Sequence, residues 1–370
     1  MRIASFNVEN FFARAKALNT QSWASGKSIL AAHAELNSLL GHATYTLSDK
    51  GRIIALLDVL GLSRSDTAEF AVLRQVRGRL LTRHQDAGVE VVANGRGDWV
   101  GWVELTTEPV TETAVANTAR VIRDVNADVL GVVEADNRVV LKRFADAELR
   151  HDDTVTYPHV MLIDGNDDRG IDVAVLTKRG WKLETMRSHV DDTDDHGVIF
   201  SRDCPEYEID TPGGHRLVVL VNHLKSKGFG RQADNNARRE RQAQRIAGIY
   251  RELIADGTVY VAVLGDLNDT PNSSPLAPLL QGTNLRDIST HPNFDDGGRP
   301  GTFANCTAAN KIDYLLLSPA LYAKATGGGI FRRGAWGGKN GTLWEHYETL
   351  TKAADAASDH AAIYADLKLA

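Results

Sequence analysis

Short apolar runs that end in polar tips recur along this chain. Residues 2–9 alternate with period two, which predicts a first strand with Ile3, Ser5, Asn7 and Glu9 on one face and Ala4, Phe6 and Val8 on the other. Apolar residues at helical spacing predict helices over 23–40 and 50–60. Residues 72–85 alternate Arg with Leu and Val, and 88–93 read as a strand. Asn94-Gly95-Arg96-Gly97-Asp98 then marks a hairpin turn before a strand over 99–105. From 113 onward helix and strand patterns alternate. A helix over 113–126 leads to a buried strand over 128–133 that runs into Glu134, and another helix begins at 136. A polar turn, Gly165 to Gly170, feeds a strand over 171–176. The strand over 216–221 ends in Asn222-His223-Leu224-Lys225-Ser226 and is followed by a helix over 235–254. Val259 to Gly265 is a β-branched apolar run that breaks into Asp266-Leu267-Asn268-Asp269-Thr270-Pro271, and Lys311-Ile312-Asp313 and Ser358-Asp359-His360 open two more strands.

Composition narrows the class. The chain has 370 residues, 43% of them hydrophobic, enough for one large domain or two ordinary ones. Its formal net charge is -6, from 42 Lys and Arg against 48 Asp and Glu, so no whole-molecule basic field draws it onto nucleic acid. Two cysteines, Cys204 and Cys306, exclude a disulfide framework and fit a reducing compartment. No apolar run approaches the roughly 20 residues of a bilayer span. The first residues lack the apolar core of a secretory leader. A cytoplasmic protein with no membrane segment and no obligate protein partner is expected, unless a leader has been removed.

The polar tips carry the candidate chemistry. Asp266 and Asn268 are two apart, so an extended backbone past Gly265 would point both the same way. A carboxylate beside a carboxamide can position a water and polarise a phosphoryl oxygen; the plain alternative is an Asx turn. Glu134 ends an apolar strand, where α/β sheets place their sites, and a helix cap is its other reading. His223 is either a catalyst at a strand mouth or a satisfied structural histidine. Arg169 can fork onto a phosphate or close a turn on Asp167 or Asp168. The acidic run 191–195 reads as a solvated loop. Arg74, Arg77, Arg79 and Arg83 form a solvated face or a phosphate-facing patch. Arg238, Arg241 and Arg245 share a helix face, serving helix stability or phosphate attraction. Trp336, in the Gly-rich segment 327–341, contacts substrate or packs. Six strands each begin or end with such residues: Asn7 and Glu9, Glu134, His223, Asp266 and Asn268, Asp313, and Asp359 with His360. Hard oxygen donors without a Cys cluster suit Mg²⁺ or Mn²⁺ better than Zn²⁺.

Phe-Asn-Val-Glu-Asn, Val-Val-Glu, Asn-His-Leu-Lys-Ser, Gly-Asp-Leu-Asn-Asp, Ile-Asp-Tyr and Ser-Asp-His, in this order, resemble the motifs of the endonuclease/exonuclease/phosphatase superfamily. The resemblance spans the chain apart from 10–112 and 327–350. It implies an α/β fold, a four-layer sandwich of two packed mixed β-sheets flanked by helices. It also implies a single catalytic domain over 1–370, with a helical and hairpin insertion at about 13–112. By the same resemblance Glu134 matches the principal metal ligand, with Asn7, Glu9 and Asp359 near the ion. Asp266 matches the carboxylate acting on the attacking water and Asn268 the amide supporting the phosphoryl oxygen. His360, held by Asp313, matches the imidazole facing the scissile phosphate. His223 matches the histidine of the deoxyribonuclease and sphingomyelinase branches, where abasic-site endonucleases usually have tyrosine. Arg169, Asn222, Lys225 and Trp336 are the candidate substrate contacts. A Mg²⁺- or Mn²⁺-dependent phosphodiesterase acting on DNA or RNA is the expectation. Its rivals are hydrolysis of a small-molecule or lipid-headgroup phosphate ester and a non-catalytic binding module.

Overall fold

Two long hydrogen-bonded sheets organise most of the chain. The computed structural model describes residues 1–9, 13–18, 23–84, 88–167, 169–228 and 231–369, so Asn10 of the first motif, Gln85 and Asp168 lie outside the described residues. By backbone proximity the chain divides into two compact units, one formed by 1–12, 110–227 and 231–370 and the other by 13–109 with 228–230.

In the larger unit the elements are β1 (Arg2–Asn7), α1 (Glu112–Val125), β2 (Val129–Ala135), α2 (Arg138–Glu148), β3 (His159–Leu162), β4 (Asp172–Thr177), β5 (Lys182–Arg187), β6 (Glu206–Asp210), β7 (Arg216–His223), α3 (Gln232–Ala255), β8 (Tyr260–Asp266), β9 (Arg286–Asp287), β10 (Phe294–Asp295), β11 (Asp313–Leu317), β12 (Ala325–Phe331) and β13 (Ala362–Leu367). One sheet has the order β3-β4-β2-β1-β13-β12-β10 and the other β5-β6-β7-β8-β11-β9. Ile3, Val133 and Val175 of the first meet Val219, Leu264 and Leu317 of the second in a shared core, which is why their strands read as near-continuous apolar runs. The outer faces are covered by helices. Ile122, Val125, Leu141 and Phe144 of α1 and α2 pack on the first sheet, and Ala243, Ile246 and Tyr250 of α3 on the second. This is the four-layer α/β arrangement the resemblance implied. Gly131 leaves room for a side chain of the facing sheet: a Cβ there would sit 2.2 Å from Leu264 Cδ1.

Local chemistry sets the helix ends. Thr111 Oγ1 accepts the Ala114 N–H at 3.2 Å at the start of α1, and Asn126 takes a left-handed φ of 52° at its end. Asn137 caps α2 through Val140 N at 2.9 Å. Strand direction then places the polar tips. β1 and β2 are parallel, as are β7 and β8, while β11 and β13 run antiparallel to their neighbours. The carboxyl ends of the first four strands and the amino ends of the last two therefore share an edge.

The smaller unit has its own core. Helices Trp23–Leu40 and Leu47–Val59 enclose Leu36, Leu40, Ile53 and Leu57 with Trp99, whose Nε1 donates to the Tyr45 hydroxyl at 2.9 Å. The expected hairpin around 94–98 does not form. Gly88–Val91 pairs with Leu81–His84, and Val100–Leu105 pairs with Ala71–Arg77. The turn is instead seated on the 43–45 segment: Tyr45 N donates to Asn94 O at 2.7 Å, and a Cβ on Gly95 would lie 1.9 Å from Ala43 O. Arg74 is paired with Glu104 and Arg83 with Asp66, so those two are not free for a phosphate. The acidic run is not simply solvated either. In the larger unit Asp192 binds Arg245 at 2.6 Å and Asp194 binds Arg241, fastening the loop to α3.

Candidate active site

Pairing register brings the strand tips together. Asn7 lies opposite Val133, beside Glu134, while His223, Asp266 and Asp313 stand side by side across β7, β8 and β11. Asn7 Nδ2 reaches Glu134 Oε1 at 3.4 Å and Asp266 Oδ2 at 3.3 Å. His223 Nε2 approaches the same two oxygens at 3.7 and 3.8 Å. His360 Nδ1 is bonded to Asp313 Oδ2 at 2.8 Å, and its Nε2 faces Asp266 Oδ2 at 3.9 Å and Asp359 Oδ1 at 3.8 Å. Asp266 is thus the hub, with one carboxylate oxygen addressed by an amide and two imidazoles.

The backbone at this edge is held in unusual conformations. Glu9, Glu134 and Asn268 have φ of 52°, 65° and 54°. A non-glycine residue there costs on the order of 1–3 kcal/mol, which the surrounding structure must over-determine. It does so with hydrogen bonds. Glu9 N donates to Asn7 Oδ1 at 3.0 Å, Asp359 N to Glu9 Oε2 at 3.0 Å, and Ser358 Oγ to Asn7 O at 2.7 Å. Asn268 N donates to Asp266 Oδ1 at 2.8 Å, so the Asx turn is real and coexists with the cluster. Because the strand stops at Asp266, Asn268 is not extended; its Nδ2 donates to Leu224 O at 3.2 Å.

Burial and charge set the protonation. His360 is held well above the ordinary imidazole range: burial opposes its charge, but Asp313, Asp359 and Asp266 outweigh burial. His223 is held well below that range by burial and then by the guanidiniums of Arg202 and Arg169. Burial, followed by the charge on Asp313, pushes the Asp266 carboxyl up to about 8. Such a concentration of buried carboxylate suits a divalent cation. Among the described residues, Asp266, Asp313 and His360 offer ligand atoms that all lie within 4.8 Å of one another. There Asp313 Oδ2 is already engaged by His360 and by Thr302 Oγ1 at 2.6 Å. The carboxylate oxygens of Glu134 and Asp266 on either side of the Asn7 amide nitrogen add hard donors of the kind a divalent cation prefers.

Not every candidate joins this group. Asn222 is fully buried, and its Nδ2 turns back to Leu220 O at 3.2 Å. Trp336 stacks on His346 with ring centroids 5.3 Å apart and packs against the outer core. Arg169 closes on Asp167 through two bonds of 2.9 and 2.8 Å. Residues without sequence signal also take part. Arg202 reaches Asp167 at 2.9 Å, Thr302 supports Asp313, and Phe303 lies against the His360 ring at 4.8 Å.

A family model described as Endonuclease/Exonuclease/phosphatase family matches residues 109–360, more than half of the chain. The chain belongs to that family. No curated protein sequence matches it. Among solved structures it is similar to a mannosyl-6-phosphatase of Bacteroides thetaiotaomicron, with 15% identity, TM-score 0.51 and coverage of 69% of this chain and 90% of that one. TDP2 of Caenorhabditis elegans aligns at 18% identity and TM-score 0.47, over 68% and 90% of the two chains. The human Nocturnin catalytic domain aligns at 14% and 0.48, over 70% and 87%. At these identities the likeness bears on fold alone. The endonuclease/exonuclease/phosphatase match ends at His360, so it includes the last of the clustered side chains. Among the described residues, no helix is long and apolar enough to cross a membrane.

Proposed function

We propose that this endonuclease/exonuclease/phosphatase family member is a divalent-metal-dependent phosphodiesterase that cleaves DNA or RNA by in-line attack of water. The reading rests on one observation, the convergence of Asn7, His223 and His360 on Asp266 within hydrogen-bond or near-hydrogen-bond distance, with Asn7 and His223 reaching Glu134 as well. Mg²⁺ or Mn²⁺, held by Glu134 with Asn7, Glu9 and Asp359 beside it, would neutralise charge on the phosphoryl oxygens. Asp266 takes the proton of the attacking water; its Oδ1 is fixed by the Asn268 N–H, which leaves Oδ2 to face the reaction. The second N–H of the Asn268 carboxamide supports a phosphoryl oxygen. His360 Nε2 donates to the developing charge, and Asp313 holds the ring that does so. His223, kept neutral, contacts the Glu134 and Asp266 carboxylates without adding a positive charge. The two free, buried thiols support a reducing compartment such as the cytoplasm.

The net charge of -6 favours a second reading, a small-molecule phosphate ester, because duplex binding draws most of its affinity from Lys and Arg. The test is a substrate panel of plasmid, single-stranded DNA, RNA, bis(p-nitrophenyl) phosphate and p-nitrophenyl phosphate, each with Mg²⁺, Mn²⁺ and EDTA. Metal-dependent nucleic-acid cleavage is expected. Cleavage of the aryl esters with intact plasmid would support the second reading, and no turnover of any ester would leave a binding module.

A further inference from the structure

Asn268 stands outside regular structure, yet its carboxamide is fixed. β7 ends at His223 and β8 at Asp266, so Leu224 and Asn268 both lie in irregular backbone just past their strands. There Asn268 holds its left-handed φ of 54° and donates one side-chain N–H to Leu224 O at 3.2 Å. The direction of its second N–H therefore depends on the spacing between the 224–227 and 267–270 segments. Backbone pairing carries the register only as far as Leu224 N on Asp266 O and Leu267 N on Ile312 O, each at 2.9 Å. Beyond those bonds side chains must hold the two segments together.

Arg239 of α3 bridges them. It is fully buried and bonds to the residue that follows each partner of the Asn268–Leu224 bond. Its Nη1 donates to Lys225 O at 2.6 Å; its Nε donates to Asp269 Oδ2 at 3.0 Å, and its Nη2 lies 2.8 Å from that same oxygen. A bond from Nη2 to Asn236 Oδ1 at 2.7 Å fixes the guanidinium on its own helix. Gln242, one turn further along and also fully buried, accepts the Lys225 N–H at 2.9 Å. On the other segment Thr270 N donates to Asp269 Oδ1 at 2.9 Å, and Lys227 pairs with the same oxygen. Tyr314, next to Asp313 on β11, donates its hydroxyl to Asp269 O at 2.9 Å. A lysine could not replace the guanidinium here, because its ammonium is a point charge and the planar fork reaches acceptors on two separate segments.

We propose that Arg239 is a positioning residue for ester hydrolysis: by clamping the segments after β7 and β8 together it aims the second N–H of the Asn268 carboxamide at the phosphoryl oxygen. This deepens the phosphodiesterase reading and rests on it. Arg239 touches neither substrate nor ion; it acts through Lys225 O and Asp269. A buried ion pair is often no more stabilising than well-packed apolar side chains of the same volume, so what this one adds is geometry. A group held by such a clamp needs no rearrangement when charge develops on the oxygen it supports.

Arg239→Lys keeps the charge that Asp269 needs and removes the fork. On the ester identified by the substrate panel, kcat is expected to fall by about ten- to a hundredfold with KM little changed, the range for a group displaced by about 1 Å. Asn268→Ala should lose about a hundredfold, and adding Arg239→Lys to it should lose nothing further, because the group being aimed is gone. A merely structural arginine would give losses that multiply in the double variant; that result, or wild-type kcat in Arg239→Lys, would overturn the proposal. If the lysine variant does not fold, Arg239→Met with Asp269→Leu removes the clamp without stranding a charge, and the same cycle with the same outcomes applies to it. NMR of protein isotope-labelled on asparagine gives a readout independent of turnover, the Asn268 side-chain signal being assigned by its loss in Asn268→Ala. Its proton on Leu224 O should exchange slowly with solvent in the wild type and about tenfold faster once the clamp is removed, the loss of about one hydrogen bond; fast exchange in the wild type, or no change, again overturns the proposal. A protein whose Asn268 proton is loosened in this way yet which cleaves no ester would instead defeat the phosphodiesterase reading while leaving the clamp standing.

Discussion

Removing Asp313 tests the hydrogen-bonded pair at the centre of the site. Its Oδ2 takes the His360 Nδ1 hydrogen bond at 2.8 Å and the Thr302 hydroxyl at 2.6 Å, with both acidic and imidazole side chains under a tenth exposed. Asp313→Asn keeps an oxygen in that place and removes the charge. A charge-assisted bond contributes roughly 1.5–3 kcal/mol against about 0.5–1.5 for a neutral one, so the change costs about 1–1.5 kcal/mol, roughly a tenfold fall in kcat. Asp313→Ala leaves the imidazole unsupported and should cost about 3–5 kcal/mol, or roughly two to four orders of magnitude. The assay is steady-state hydrolysis of whichever phosphodiester the substrate panel identifies, with the urea midpoint measured on the same samples. KM should move little, because the bond matters in the transition state. An Ala variant that folds and keeps half of the wild-type kcat would refute the role given to the pair, as would an Asn variant as impaired as Ala.

Other expectations reach different parts of the molecule. Glu134→Gln should weaken Mn²⁺ binding by about tenfold or more in calorimetry, since it removes a charged oxygen ligand; unchanged affinity would move the ion elsewhere. Gly131→Val over-packs the space against Leu264 and should cost about 1–3 kcal/mol in urea unfolding, with Leu264→Ala in the same chain recovering part of the loss. Failure of the pair to couple would contradict the close approach of Leu264 to Gly131. His189 bonds Asp192 at 2.9 Å and Glu206 at 2.6 Å; burial opposes its charge, but these carboxylates raise it overall. Its contribution is therefore complete below the unfolded histidine value of about 6.5 and disappears as pH rises through the higher folded value. The stability difference between wild type and His189→Gln should shrink from pH 6 toward alkaline pH; a constant or growing difference would show that the ion pairing is not responsible.

The strands and the residues at their tips were legible because buried parallel strands leave an unmistakable contrast between an apolar run and the polar side chain that ends it. Asn7, Glu134, His223, Asp266 and Asp313 all follow from that contrast plus strand direction. The orientation of Asn268 did not, since two-residue spacing implies a shared face only while the backbone stays extended, and its φ of 54° ends that. Arg202 and Thr302 were invisible for another reason. They sit in irregular segments without period, and it is tertiary pairing, Arg202 to Asp167 and Thr302 to Asp313, that brings them in. In the smaller unit a strong local turn signal at 94–98 lost to the docking of Gly95 on Ala43 and the pairing of each strand with a different partner.

The left-handed residues Glu9, Glu134 and Asn268 carry a practical consequence for engineering. Glycine adopts those angles without the Cβ clash, at a cost in chain entropy smaller than the strain it relieves. A thermostability selection blind to turnover would therefore be expected to gather glycines at these three positions, and the hardiest variants it returned would be inert.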